Sequence, residues 1–378
     1  MKIMWYGVAP WARTGYGKVT KEVCTRLQRH HDVVIFSFTH DLAPIEYNGL
    51  KVYPRLSITD QWGANSIKYW FEKLKCDFVI QNFDLWVLNN SFHNLWIPYI
   101  TYTPIDHLTI PEPMMEDLKY SVDIWVPSKY AQKLLEKEGF YSRYVPHGVN
   151  LNIYKPMDKR KCREYFGLDE DAFIFGFVGV NHGGRKNIVG LLTAFKHFIE
   201  LTNAKPSEVK LVLHTYVHRD HFNPIGDELP VYWNKLGIKE YIRHTPEFDY
   251  LAGLEEEEMA MLYNAMDVFV TATCGEGFCI PIIESFACGT PVIAPEFTSA
   301  PELVEGRGEL ANVAEYVSRE LTMSWQGIVD TYDLAHKMVR LYNNPSLVGK
   351  YSKEALRFVK NFDWNVVVDK YILPSLPE

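Results

Sequence analysis

Cys274-Gly275-Glu276-Gly277-Phe278-Cys279-Ile280-Pro281-Ile282-Ile283-Glu284 brackets a glycine-containing turn with two carboxylates. Upstream, Asp267-Val268-Phe269-Val270-Thr271 runs β-branched and aromatic residues together, the pattern of a buried strand. Downstream, Pro281 suits the first turn of a helix, and Gly289 falls where a helix ending near Cys288 wants a left-handed residue. Strand, turn and helix in this order put Glu276 at the carboxyl end of a sheet, where open α/β sheets bind their ligands. The N–H groups of Phe278, Cys279 and Ile280 lie at the helix start, where the dipole favours an anion such as phosphate. Glu284, one turn in, is placed to accept hydrogen bonds from neutral hydroxyls such as those of a ribose. The stretch therefore points to a site for a phosphorylated sugar or nucleotide.

Glu276, Gly277, Phe278, Pro281 and Glu284 resemble the Glu-x7-Glu motif of the retaining glycosyltransferases of family 4, the group 1 glycosyl transferases. Cys279 stands in place of a Gly, Ile280 of a Leu and Ser285 of an Ala. The flanks Tyr263-Asn264-Ala265-Met266-Asp267-Val268 and Ala287-Cys288-Gly289-Thr290-Pro291-Val292-Ile293-Ala294 fit as well. So do Val126-Pro127-Ser128-Lys129-Tyr130 and Val145-Pro146-His147-Gly148-Val149-Asn150, with His147 for an Asn and Asn150 for an Asp. The resemblance implies an α/β GT-B fold: two Rossmann-like parallel-sheet domains facing a cleft, with a C-terminal helix crossing back to the N-terminal domain.

Length and composition agree with that expectation. At 378 residues the chain has room for two domains, and 47% hydrophobic with 23% charged residues is ordinary globular composition. Residues 1–150 carry 16 Lys and Arg against 15 Asp and Glu, the remainder 23 against 32, so nucleic acid is a poor default partner. No apolar run reaches the ~18 residues a membrane helix needs. Lys2 to Val8 reads as a first strand, not a leader, and the six cysteines lack zinc-like pairing, which together suggest a reduced cytoplasmic setting.

Along the chain, strands are expected at Val33 to Phe38, Phe78 to Gln81, Tyr99 to Tyr102, Trp125-Val126, Phe173 to Val180 and Lys210 to His214. Helices are expected over Lys18 to His30, over Lys129 to Glu138 with Ser128 as N-cap, and after Asn187. The last fifty residues read as helices from Asp330 onward. Such alternation implies parallel sheets with helices on both faces. The divisions are 1–150 for an N-terminal acceptor domain, 151–355 for a donor domain, and 356–378 for the helix packing back.

Several other residues carry candidate chemistry. Gly15, Tyr16 and Gly17 open the first helix, where glycine admits close backbone approach to a ligand. The loop 178–187 ends in Arg185-Lys186-Asn187, whose cations suit a diphosphate leaving group. The usual Arg of the resembling family is replaced by Val180 or Asn181, and Lys186 fits its Lys. Asp106-His107 follows a strand and suits a sugar contact or acid/base work. Trp62, Tyr69, Trp70, Phe83, Trp86 and Trp96 form either an aromatic acceptor platform or part of the core. His218 and His221 invite a metal, but Asn223-Pro224 suggest a loop and no partner ligands are evident.

Taken with the resemblance, these residues imply hexosyl transfer from a nucleoside-diphosphate sugar, UDP- or GDP-linked, to an acceptor hydroxyl, with retained configuration and no required cofactor or metal. Glu276, His107 and Asp106 are the catalytic candidates. Gly15, Tyr16, Gly17, Arg185, Lys186, Gly277, Phe278, Cys279, Ile280 and Glu284 are the donor-binding ones. The acceptor stays open among glycan, lipid, protein and modified nucleobase, as does a peripheral membrane contact without a transmembrane segment. A sugar phosphorylase, an epimerase and a non-catalytic nucleotide-sugar-binding protein are the alternatives.

Overall fold

Two parallel sheets organise the chain. The computed structural model describes residues 1–377 apart from 90, 222 and 320–323. It divides into two compact units. Unit 1 comprises Met1–Gly148, Ser318–Trp325 and Trp364–Glu378; unit 2 comprises Val149–Val317 and Gln326–Asp363.

Unit 1 holds strands β1 (Lys2–Gly7), β2 (Asp32–Ser37), β3 (Ile45–Tyr47), β4 (Leu50–Pro54), β5 (Phe78–Asn82), β6 (Tyr99–Tyr102), β7 (Asp123–Val126) and β8 (Arg143–Tyr144). They lie in the order β3-β4-β2-β1-β5-β6-β7-β8. Only β3, an edge strand, runs antiparallel to its neighbour. In the central strands Tyr6 is level with Phe36 on one side and Gln81 on the other. Hydrophobic and aromatic side chains of one face (Met4, Tyr6, Val34, Phe36, Val79, Tyr99) enter a single core. Near-continuous burial of these strands is what a sheet covered on both faces requires. Thr14 caps the first helix, Gly15–Leu27, accepting from the Gly17 amide at 3.1 Å. Ser128 does the same for Lys129–Lys137 through the Ala131 amide. The terminal segment beginning at Trp364 belongs to this unit: Arg26 Nε donates to Asn365 Oδ1 at 3.0 Å, and Tyr144 meets Tyr371 edge-on at 5.7 Å.

Unit 2 holds β9 (Phe173–Val178), β10 (Val209–His214), β11 (Ile242–His244), β12 (Val268–Val270), β13 (Val292–Pro295) and β14 (Gly308–Ala311). Their order is β11-β10-β9-β12-β13-β14, with every pair parallel. Two hydrophobic clusters sandwich this sheet. One gathers Phe175, Phe195, Leu213 and Val270; the other gathers Ile174, Val212, Phe269 and Ile283. Alternation along β9 and β10 feeds both, which is the period-two rule for strands. A further pair, β15 (Val313–Arg319) and β16 (Ser324–Val329), forms a two-stranded sheet that the sequence pattern did not announce. Helix Ile188–Thr202 begins after Asn187 as expected, with the Asn187 side chain accepting from Gly190 N, and Pro345–Phe358 is capped by Asn344, which accepts from Leu347 N.

Unit 2 is locked near its start by a buried arginine. Arg163 Nε donates to Ala265 O at 3.0 Å, Nη1 to Glu170 O, and Nη2 to Asp267 Oδ2 at 2.7 Å. The same Asp267 oxygen also accepts from the amide of Ile174 in β9 at 2.7 Å. Breaking a buried ion pair by removing one partner leaves polar groups unmatched. Arg163→Ala should therefore lower the unfolding free energy by about 3 kcal/mol in a denaturant titration; a loss below about 0.5 kcal/mol would show that the bridge is not structural.

Candidate functional site

In unit 2 the turn after β12 is tied to the loop that precedes helix Ile188–Thr202. Cys274 N donates to Arg185 O at 2.8 Å, and Arg185 Nη1 returns a bond to Gly275 O at 3.3 Å. This lacing sets Glu276 against two cations. Lys186 Nζ donates to Glu276 Oε1, as does Thr273 Oγ1 at 2.9 Å, and Arg185 Nη1 lies 3.7 Å from Oε2. The backbone beneath is fixed as well: Glu276 N donates to Thr298 Oγ1 at 3.0 Å, and Ser299 Oγ to Glu276 O at 2.9 Å. The side chains of Lys186 and Glu276 are only 16% and 13% exposed, so this is a half-sequestered charge cluster rather than a solvated surface turn.

Gly277, Phe278 and Cys279 carry the chain into helix Ile280–Ala287. Phe278 is buried, its ring 5.8 Å from that of Phe362. Cys279 takes φ +70°, the left-handed region, as the residue just before the helix. A glycine would enter that conformation without the clash its Cβ makes. Pro281 sits in the first turn and Gly289 has φ +79°, both as the sequence pattern requires. Within the first turn Ile282 N donates to Cys279 O at 3.0 Å and Pro281 carries no N–H, and Gly277, Phe278 and Cys279 separate Glu276 from the helix start.

Glu284 is already engaged within its own unit. Its carboxylate faces helix Glu256–Ala265, is only 3% exposed, and accepts from Tyr263 OH at 2.9 Å, with the Tyr154 hydroxyl as a second partner. Burial, reinforced by the Glu284 charge, pushes both tyrosines well above their ordinary range, so both hydroxyls keep their protons and donate. Helix Ile280–Ala287 is apolar nearly all round (IPIIESFA), which gave no signal of the face on which Glu284 would fall. Neither tyrosine was singled out from the sequence, though Tyr263 lies in the flank of the motif.

The position where the resembling family has an arginine is occupied by residues with other roles. Val180 is exposed, and Asn181 is buried with its Nδ2 spent on Tyr216 O at 3.0 Å and Asp227 O at 2.7 Å. The cations at this loop are therefore Arg185 and Lys186.

Unit 1 carries its own polar cluster. Asp106 Oδ1 lies 2.7 Å from His107 Nδ1, and the His107 carbonyl accepts from Tyr130 OH at 2.7 Å. The ring is almost fully buried, and its Nε2 has no hydrogen-bond partner among the described residues. A carboxylate on Nδ1 fixes the tautomer and leaves Nε2 as the acting nitrogen. Gly15, Tyr16 and Gly17 form the start of the first helix. A Cβ on Gly17 would come within 2.0 Å of Ala12 O, so the turn is closed to any larger residue, and the Tyr16 ring rests 4.7 Å from Phe83. His147 is buried edge-on to Tyr102 at 5.5 Å, and burial lowers its imidazole to about 3, keeping it neutral.

The six aromatics find no common surface. Trp70 is buried with Nε1 on Pro54 O at 2.8 Å, Trp62 and Phe83 pack with Phe38, and Trp96 is 86% exposed, so the six aromatics do not form one platform. His218 bonds Glu228 at 2.7 Å, and no cluster of three or more His, Cys, Asp or Glu suited to a metal ion occurs among the described residues. Nor is any helix among them long and apolar enough to cross a membrane.

Comparisons with known proteins come down on the same elements. Residues 172–344 match the family model described as glycosyl transferases group 1. Among curated proteins, the D-inositol 3-phosphate glycosyltransferase of Segniliparus rotundus is 28% identical over 181 residues, 48% of this chain and 35% of that protein. The chain spans less than half the length of the curated relatives it matches first. Among solved structures, sucrose-phosphate synthase from Thermosynechococcus elongatus superposes with TM-score 0.78 at 18% identity, covering 98% of this chain and 97% of that one. Anabaena HepE in complex with UDP-glucose superposes with TM-score 0.72 at 15% identity, covering 98% of each chain. Likeness over the full length at such low identity establishes the fold: the chain has the GT-B architecture.

Cys279 provides a test of the turn. Burial, with the nearby Glu276 charge, pushes its thiol well up, so no thiolate forms near neutral pH. Alkylation of Cys279 at pH 8 should be at least about tenfold slower in the folded protein than in urea, as followed by mass spectrometry. Cys279→Gly should leave stability within about 1 kcal/mol, because relief of the left-handed strain offsets the lost thiol packing. Rapid labelling, or a large destabilisation by glycine, would mean that the turn is not built this way.

Proposed function

Taking residues 172–344 as belonging to the group 1 glycosyl transferases, we propose that the chain is a retaining glycosyltransferase that uses a nucleoside-diphosphate sugar and needs no metal. One juxtaposition supports this reading above all: Glu276 beside Arg185 and Lys186, on the turn that leads into a helix. Arg185, Lys186 and the amides of Phe278, Cys279 and Ile280 are assigned to the diphosphate. There they neutralise the charge that grows on the leaving group, the work a metal ion performs in other transferases. Glu276 is assigned to hydroxyls of the donor sugar, and Glu284 to the ribose, with Tyr154 and Tyr263 fixing its orientation. Among the relatives, HepE was solved with UDP-glucose, which favours a UDP-linked donor.

In the N-terminal unit His107 offers Nε2 to a sugar hydroxyl while Asp106 holds its ring, and the Gly15-Tyr16-Gly17 turn is assigned to close backbone contact with a ligand. Retention follows a same-face path. The bond from the anomeric carbon to the diphosphate oxygen breaks, the acceptor hydroxyl oxygen bonds that carbon on the same face, and the acceptor proton passes to the departing phosphate oxygen. Glu276 orients the sugar and does not attack, because on this path the acceptor oxygen itself bonds the anomeric carbon on the face the leaving group departs from.

Incubation with UDP- and GDP-sugars in EDTA, with candidate acceptor alcohols, should yield a product whose anomeric configuration by NMR matches the donor. An inverted product contradicts the mechanism, and donor isomerisation without an acceptor favours an epimerase. Glu284→Ala should weaken nucleotide binding about tenfold, the loss of hydrogen bonds to a charged group. Unchanged affinity in a folded mutant removes the ribose assignment.

A further inference from the structure

The Glu276 carboxylate occupies the cations that the donor diphosphate needs. Resting on the donor-site reading above, we propose that Glu276 is an internal counter-anion: it holds Lys186 and Arg185 while no diphosphate is present, and exchanges them for sugar hydroxyls when an intact donor binds. The exchange makes the site favour nucleotide sugar over free nucleotide and drives off the nucleotide product.

Geometry and charge carry the argument. Lys186 and Arg185 approach different oxygens of the same carboxylate, Oε1 and Oε2. Arg185 and Lys186 lie just before the Asn187 cap of helix Ile188–Thr202, and Glu276 lies on the turn that leads through Gly277, Phe278 and Cys279 into helix Ile280–Ala287, so the carboxylate sits beside two cations on segments that open helices. Its backbone is pinned at both N and O by Thr298 and Ser299. The exchange therefore needs only side-chain rotation. Thr273 Oγ1 donates to Oε1, so one oxygen stays hydrogen-bonded as the cations change partner.

The free-energy consequence has a definite sign. A nucleoside diphosphate alone must displace a carboxylate from two half-sequestered cations, and it brings no sugar hydroxyl to replace them. A nucleotide sugar displaces it too, but its sugar supplies hydroxyl donors to the released oxygens, a charge-assisted hydrogen bond. Once the sugar has been transferred, those donors leave. Glu276 then returns to Lys186 and Arg185, and the nucleotide is expelled. The same group thus serves binding in one half of the cycle and release in the other.

The test is calorimetric titration of wild type, Glu276→Gln and Glu276→Ala with UDP, GDP, ADP and inorganic pyrophosphate, and with the sugar-linked form of whichever nucleotide binds. Thermal unfolding establishes that each variant is folded. The expected result is that both substitutions tighten the free nucleotide about fivefold to tenfold, and that the preference for sugar-linked over free nucleotide falls by at least the same factor. Product inhibition by the nucleotide should strengthen in parallel. Equal or weaker nucleotide binding in both folded variants, alongside measurable binding by wild type, overturns the counter-anion role and leaves the donor-site reading standing. Absence of nucleotide binding in wild type and both variants overturns the donor-site reading and this inference with it.

Discussion

The contact on which the unit 2 site depends is the charge cluster of Glu276, Lys186 and Arg185, because three separately encoded segments must be in place to form it. The strand β12 delivers the turn, the loop before helix Ile188–Thr202 delivers the cations, and the segment at Thr298 and Ser299 pins the backbone. Each is weak in isolation, since a surface ion pair contributes ~1 kcal/mol or less. Partial sequestration and the backbone bond from Cys274 to Arg185 make the three interdependent. A cluster so held keeps two cations and a carboxylate at one place, on the turn that leads to the helix start at Ile280.

Beneath the cluster, the sheet supplies rigidity. Strand β12 pairs with β9 and β13, and the Arg163–Asp267 bridge ties the residue just before β12 to the amide of Ile174. The turn that carries Glu276 therefore leaves a strand paired on both sides. On the other side of the turn, Glu284 contributes a buried negative charge that two protonated tyrosines satisfy, so the helix is anchored by a polar contact within an otherwise apolar face. In unit 1 Asp106 sets the His107 ring, whose buried Nε2 has no hydrogen-bond partner among the described residues. A buried ring nitrogen left unsatisfied costs free energy.

What was legible in the sequence was local. Pro281, Gly289, Ser128 and Asn187 act through their own backbone geometry, and the structure uses each of them as caps or turn residues in the places their chemistry dictates. The apolar runs of β1, β2, β9 and β10, aromatic as well as β-branched, were legible for the same reason. The resemblance to group 1 glycosyl transferases is borne out over residues 172–344, and the two parallel sheets with it. The short edge strand β3, its neighbour β4 and the pair β15–β16 were not legible, because three to seven residues carry too little periodicity to stand apart from loop. Contacts made in three dimensions were also hidden. Thr273, Tyr154 and Tyr263 matter through partners 3 to 130 positions away, and the inward turn of Glu284 depends on which face of an all-apolar helix meets Glu256–Ala265. The arginine of the family pattern is a different case. Its absence was visible at Val180 and Asn181, but only the fold shows Asn181 committed to two backbone carbonyls.

The central claim is that the Glu276 cluster is a nucleoside-diphosphate site that works through protein cations. The most direct test is calorimetric titration of the wild type and Lys186→Ala with UDP, GDP and ADP in excess EDTA. The account predicts that one nucleotide binds the wild type with micromolar affinity, and that Lys186→Ala weakens it by about tenfold or more, the loss of a charge-assisted contact to phosphate. Binding that requires added metal, or that is indifferent to Lys186, would contradict it.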